Sequence, residues 1–98
     1  MPKKPETLLK EKVLRDLKTI PNIYFVKIQQ VTIHGTPDIL ACISGFFVAI
    51  EMKKDHKTEP EPRQIYDLEK VKNARGIALI VDPLNWPGHL AYLKALSI

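Results

Sequence analysis

The chain is poor in the residues that staple small folds. It has a single cysteine, Cys42, in 98 residues. An internal disulfide and a thiolate zinc cluster are both excluded. Cys42 stands among apolar residues in a strand-like run and is expected in the core. His34, His56 and His89 show no spacing suited to zinc. No serine is set for nucleophilic catalysis, Ser44 being a turn residue. Met1-Pro2-Lys3-Lys4-Pro5 lacks the apolar segment of a signal peptide, and no run reaches membrane-spanning length. Internal repeats and low-complexity segments are absent. The expectation is a soluble, cytoplasmic protein with no membrane association, forming a single domain over residues 1–98.

Apolar residues make up 45% of the chain and charged residues 27%, a balance that favours a globular fold over disorder. A core of this size is thin, so dimerisation would help it. The net charge is +4, and Lys53, Lys54, Lys57 and Arg63 fall close together. A polyanion is the expected partner, nucleic acid being the commonest. The blander alternative is a solvated basic face.

Pro5-Glu6-Thr7 opens a helix in which Leu9, Val13, Leu17 and Ile20 form an apolar stripe, closed by Pro21-Asn22. At about 100° per residue Glu6 points along that stripe and Glu11 away from it. An acid on the inward side of a helix calls for a partner or a metal, although a first-turn acid also suits the helix dipole. Ile23 to Ile33, β-branched and aromatic, reads as a first strand. His34-Gly35-Thr36-Pro37 follows as a loop, with Pro37 fixing entry to the next strand.

Asp38 to Ile43 and Phe46 to Lys53 read as two strands around a Ser44-Gly45 turn. With two loop residues, Ile43 pairs with Phe46, Leu40 with Ala49 and Asp38 with Glu51. Opposed side chains share a face about 5 Å apart at Cβ. Lys53, two residues beyond Glu51, lies on the same face. Two carboxylates so close are unfavourable unless a cation sits between them, and a divalent metal beside Lys53 would fill that role. Leu40, Cys42, Phe47 and Ala49 line this face; Ile39, Ala41, Ile43, Phe46, Val48 and Ile50 line the other. Both are apolar, so helices are expected to cover both.

Lys54 to Pro62 is a polar, proline-containing loop. Arg63 to Ala74 forms a second helix with Ile65, Leu68 and Val71 inward and Gly76 as its stop. Ile77 to Val81 is a buried strand, parallel to the preceding one through the helical crossover. His89 to Leu96 makes a short last helix, with Trp86 near it as a packing or interface anchor. The order is αβββαβα, an α/β fold with a mixed sheet.

Pro37-Asp38, a strand-length gap and Glu51-Met52-Lys53 resemble the signature of the PD-(D/E)XK nuclease superfamily. Gly35-Thr36-Pro37-Asp38, Gln64 early in the following helix and Glu6 in helix one are most similar to the small stand-alone virus-type replication-repair (VRR-NUC) nucleases, often encoded by phages. The resemblance runs from Glu6 to the last strand. It implies a restriction-endonuclease-like core, Mg²⁺ or Mn²⁺ as cofactor with no organic cofactor, a DNA substrate and a homodimer. It also implies work in replication, recombination or repair.

Asp38 and Glu51 would then bind the metal, a hard cation preferring oxygen ligands. The resemblance implies the Met52 carbonyl as a further ligand. Glu6 would join through a second metal or an outer-shell water, with Glu11 as the alternative acid on that helix. Lys53 would position the attacking water or stabilise the transition state. Gln64 would orient the water or a phosphate. Lys54, Lys57 and Arg63 would hold the nucleic-acid backbone, and His34 could touch phosphate.

Pro-Asp is an ordinary turn dipeptide and Glu-x-Lys an ordinary strand end; their joint placement points to a metal-dependent endonuclease. With no separate recognition domain in the sequence, DNA shape is the expected determinant, as in branched or four-way junctions. The alternatives are a non-catalytic nucleic-acid-binding module of the same fold and, more weakly, a basic protein-interaction domain.

Overall fold

The computed structural model describes residues 2–29 and 35–97. In chain order the elements are α1 (Pro5–Leu17), β1 (Ile23–Lys27), β2 (Ile39–Ile43), β3 (Phe46–Met52), α2 (Pro62–Asn73), β4 (Ile77–Val81) and α3 (Trp86–Leu96). The strands form one mixed sheet in the order β1-β2-β3-β4. β1 and β2, and β2 and β3, pair antiparallel, whereas β3 and β4 are parallel through the α2 crossover. The expected αβββαβα order is met. The part of the expected first strand in residues 30–33, and His34, lie outside the described residues.

The helix stripe and the sheet alternation generate the core between them. Leu9, Val13, Leu17 and Ile20 are all buried, against Ile39, Ala41, Ile43, Val48 and Ile50 of one sheet face. Fully burying each aliphatic side chain stabilises by roughly 1.5–3 kcal/mol. Leu79, Val81 and Leu93 extend this core, and Trp86 locks it at one end. The indole is 1% exposed and its Nε1 donates to Asp16 Oδ2 at 2.8 Å, joining α3 to α1. Trp86 is thus a packing anchor. Helix α3 begins at Trp86, three residues before the expected His89, because Pro87 fits within a first helical turn.

The hairpin forms in the expected register, with Ile43 opposite Phe46, Leu40 opposite Ala49 and Ile39 opposite Ile50. Both turn residues hold positive φ, 48° at Ser44 and 91° at Gly45, as a type I′ connection requires. This places Asp38 one step beyond the last ladder pair, beside Glu51.

The second face is covered only in part. Helix α2 packs on β4 and β3 and leaves β1 and β2 open. Cys42 is therefore exposed, not in the core, and Phe47 and Tyr24 are exposed beside it. A helix lying along the strands is about 10 Å wide and covers about two of them at about 4.8 Å spacing. Within α2 only Leu68 is buried. Ile65 is exposed rather than inward, and Val71 is half-buried. The α2 stop also differs from expectation: Arg75, at φ 72°, takes the left-handed position, not Gly76. Gly76 answers a different demand, since a Cβ there would lie 2.8 Å from Val71 Cγ1 and 3.1 Å from a Phe47 ring carbon.

Candidate active site

Asp38 sits immediately before β2, and Glu51 and Met52 close β3. Two backbone bonds hold these ends in place. Ile28 N–H donates to the Asp38 carbonyl at 2.9 Å, and Lys53 N–H to the Val81 carbonyl at 2.7 Å. The Asp38 side chain is fixed in turn, because its Oδ2 accepts the Met52 N–H at 2.7 Å. Pro37 is buried behind it. Gly35, at φ 95°, lets the preceding loop pass under α2: a Cβ there would stand 2.8 Å from the Arg63 carbonyl oxygen. The Gly-Thr-Pro-Asp sequence thus meets a backbone demand at Gly35 and an orientation demand at Asp38.

Gln64 connects the helix to the strand end. Its Nε2 donates to Glu51 Oε1 at 2.6 Å, and its Oε1 accepts from Lys53 Nζ at 2.6 Å. The same oxygen accepts the Glu61 N–H at 2.9 Å, as one half of a reciprocal capping box. A residue that starts α2 therefore also sets the relation between Glu51 and Lys53.

Glu51 is 4% exposed, and its Oε2 has no hydrogen-bond partner among the described residues. Burial, then the neighbouring Asp38 charge, push its carboxyl up from the ordinary 4.5 to about 8, against the opposing pull of Lys53. Near neutral pH this group favours holding a proton, or exchanging it for a cation. The residues fit a hard cation on that ground: an unpartnered buried oxygen, a second carboxylate beside it, and no cysteine or histidine in the cavity lining.

Glu6, Lys10, Asp38, Glu51, Met52, Lys53 and Gln64 line one cavity of about 270 Å³. All five residues expected at the catalytic centre thus share a cavity, with Met52 among them. Glu6 lines it without completing a three-ligand cluster, since among the described residues no three His, Cys, Asp or Glu side chains gather as a metal group. The helix-one acid of the cavity is Glu6. Glu11 pairs instead with Lys3, Nζ to Oε1 at 2.8 Å.

Lys54, Lys57 and Arg63 are exposed and do not line the cavity. The loop of Lys54 and Lys57 is shaped by Asp55 Oδ1, which accepts from Lys57 N, Thr58 N and Thr58 Oγ1 at 2.8–2.9 Å, whereas Arg63 lies in the first turn of α2. These bonds, chiefly that from the Thr58 hydroxyl, lower the Asp55 carboxyl below its ordinary value. His34 lies outside the described residues. Lys10 is the cavity residue that motif reasoning passed over. Its signal was its place four residues after Glu6, which puts both on one helix face.

No protein-family model and no curated protein matches this sequence. A solved structure described as a VRR_NUC domain does match, with a TM-score of 0.78 over 92% of this chain and 97% of that one, at 20% identity. The chain therefore has the fold of a VRR_NUC domain, the class to which its motifs point. No helix among the described residues is long and apolar enough to cross a membrane.

Proposed function

We propose that this protein is a metal-dependent endonuclease that hydrolyses DNA phosphodiester bonds, selective for branched or junction structures. The supporting observation is the Asp38–Glu51 pair: two adjacent carboxylates, one oxygen buried and unpartnered, with Lys53 tied to them through Gln64. Asp38 and Glu51 would hold Mg²⁺ or Mn²⁺, with the Met52 carbonyl as a further oxygen and Glu6 acting through water. When bound, such an ion lowers the pKa of a water and offsets charge on the phosphate.

The chain's own residues supply positioning and charge. The Met52 N–H keeps Asp38 aimed, and Gln64 keeps Glu51 and Lys53 at a fixed separation. The Lys53 ammonium stabilises charge that develops on phosphate oxygens during attack. Lys10 offers the cavity a second cation. Lys54, Lys57 and Arg63 hold the DNA backbone outside the cavity. One such site cuts one strand, so paired cuts need a symmetric homodimer.

The test is a gel assay of the wild-type protein on linear duplex, flap and four-way DNAs, with and without Mg²⁺ or Mn²⁺. Cleavage only with metal, and faster on branched forms, is the expected result. Tight DNA binding with no cleavage under any metal would instead identify a binding module of this fold.

A further inference from the structure

Two lysines line the carboxylate cavity, Lys53 and Lys10. They reach it from different layers of the fold. Lys53 follows β3 and is tied at 2.6 Å to Gln64 of α2, which covers one face of the sheet. Lys10 and Glu6 belong to α1, whose Leu9 and Val13 pack on the opposite face. The cavity therefore lies at the end of the sheet, with a helix from each layer contributing to its wall.

Lys10 differs from the lysines near it in sequence. It is half-buried, whereas Lys3 and Lys12 are exposed. Those two pair with carboxylates, Lys3 with Glu11 at 2.8 Å and Lys12 with Asp16 at 3.6 Å. Lys10 makes no ion pair among the described residues. Yet Glu6 stands one turn before it, in the order that favours pairing on a helix. The Lys10 ammonium is thus free to act on whatever occupies the cavity. Glu6 likewise does not gather with Asp38 and Glu51 into a three-ligand group.

The charges of the cavity limit what it can hold. Among the described residues, Glu6, Asp38 and Glu51 face Lys10 and Lys53 there, which leaves one negative charge when all are ionised. A single divalent ion turns this into one positive charge, which one phosphodiester neutralises. A second ion would leave three positive charges. Its only carboxylate apart from the Asp38–Glu51 pair would be Glu6, with the Lys10 ammonium repelling it from the same helix face.

We propose that Lys10 stands in place of a second divalent ion: the cavity holds one ion per chain, and the Lys10 ammonium binds the phosphate from the α1 side. The proposal rests on the nuclease function above and makes its site a one-ion site. Lys53 and Lys10 then serve the same phosphate from the two faces of the sheet. A lysine suits this place because it carries a compact charge on a flexible stem, with three donors that need no fixed geometry. A hard cation there would need several oxygen ligands, and α1 supplies the cavity with Glu6 alone.

The test counts ions and phosphate contacts. Mn²⁺ is titrated calorimetrically into wild type, Lys10→Met and Lys10→Glu. Methionine keeps an unbranched, helix-favouring side chain, and a thermal melt checks each fold. Wild type is expected to take one ion per chain. Lys10→Met should bind that ion about fivefold more tightly, as removal of a like charge a few ångströms away implies even at the dielectric constant of water. Lys10→Glu, with a second carboxylate one turn from Glu6, should take two ions. Binding of a plain duplex is then followed by fluorescence anisotropy at several salt concentrations, with Ca²⁺ in place of Mg²⁺. Lys10→Met should lower the log–log slope by about 0.9, the loss of one phosphate contact. Two ions per wild-type chain, one ion in Lys10→Glu, or an unchanged slope or Mn²⁺ affinity in Lys10→Met each overturns the role of Lys10 and leaves the nuclease function standing. Failure of wild type to bind Mn²⁺ or DNA overturns the nuclease function with it.

Discussion

Lys53→Ala is expected to cleave about 10²–10³-fold more slowly than wild type while folding and binding DNA nearly as well. Lys53 stands one residue past the end of β3 and is half-buried, not part of the core. Its ammonium makes one described hydrogen bond, to Gln64 Oε1, and that oxygen keeps its bond from Glu61 N–H when Lys53 is truncated. Little stability is therefore at stake. The loss is confined to the transition state, where the phosphate gains charge beside the missing cation. Single-turnover cleavage of the best substrate in the DNA panel, alongside a thermal melt, measures both halves. Wild-type cleavage by Lys53→Ala would remove the lysine from the chemistry.

The second large effect is on stability and follows from Glu51. Its carboxyl is raised from 4.5 to about 8 by burial and by Asp38. Between these two pH values the folded state binds more protons than the unfolded state, so this group's contribution falls as pH rises. The contribution is fully present below about 4.5 and is lost by the time pH has passed through about 8. Glu51→Gln keeps the shape and the Gln64 contact site without the charge. Its stability advantage over wild type should widen from pH 5 to pH 8.5, by at most about 1.4 kcal/mol per pH unit. Urea titrations of the metal-free proteins at several pH values measure this difference. Added Mn²⁺ should replace the proton, stabilising wild type most at the alkaline end and Glu51→Gln hardly at all. A difference independent of pH would mean that Glu51 ionises freely in the folded protein.

Particular residues show how much of this molecule is legible in its sequence. The hairpin register is readable because Ser44-Gly45 demands a two-residue turn, and one register alone then brings Asp38 beside Glu51. The α1 stripe is readable for a similar reason: Leu9, Val13 and Leu17, three apolar side chains at helical spacing, have one way to be buried. Gln64 was visible as a motif residue, but its double role depends on where the α2 capping box falls above the strand end. Cys42, Phe47 and Ile65 mark the limit. Apolar alternation states which side chains could be buried, not whether a partner element is wide enough to cover them, and α2 reaches only β3 and β4. Lys10 shows another limit, since its place one turn after Glu6 puts both on one helix face but does not say that this face borders a cavity. Its meaning comes from the cavity that Glu6 and the strand ends build in front of it.

The central claim is that Asp38 and Glu51 together form a site for a divalent cation, and calorimetric titration of Mn²⁺ tests it most directly. Wild type should bind Mn²⁺ saturably at pH 7.5, releasing a proton from Glu51 as it does so, which appears as a dependence of the measured heat on the ionisation enthalpy of the buffer. Asp38→Ala should lose that binding. Equal Mn²⁺ affinity in the two proteins would contradict the assignment.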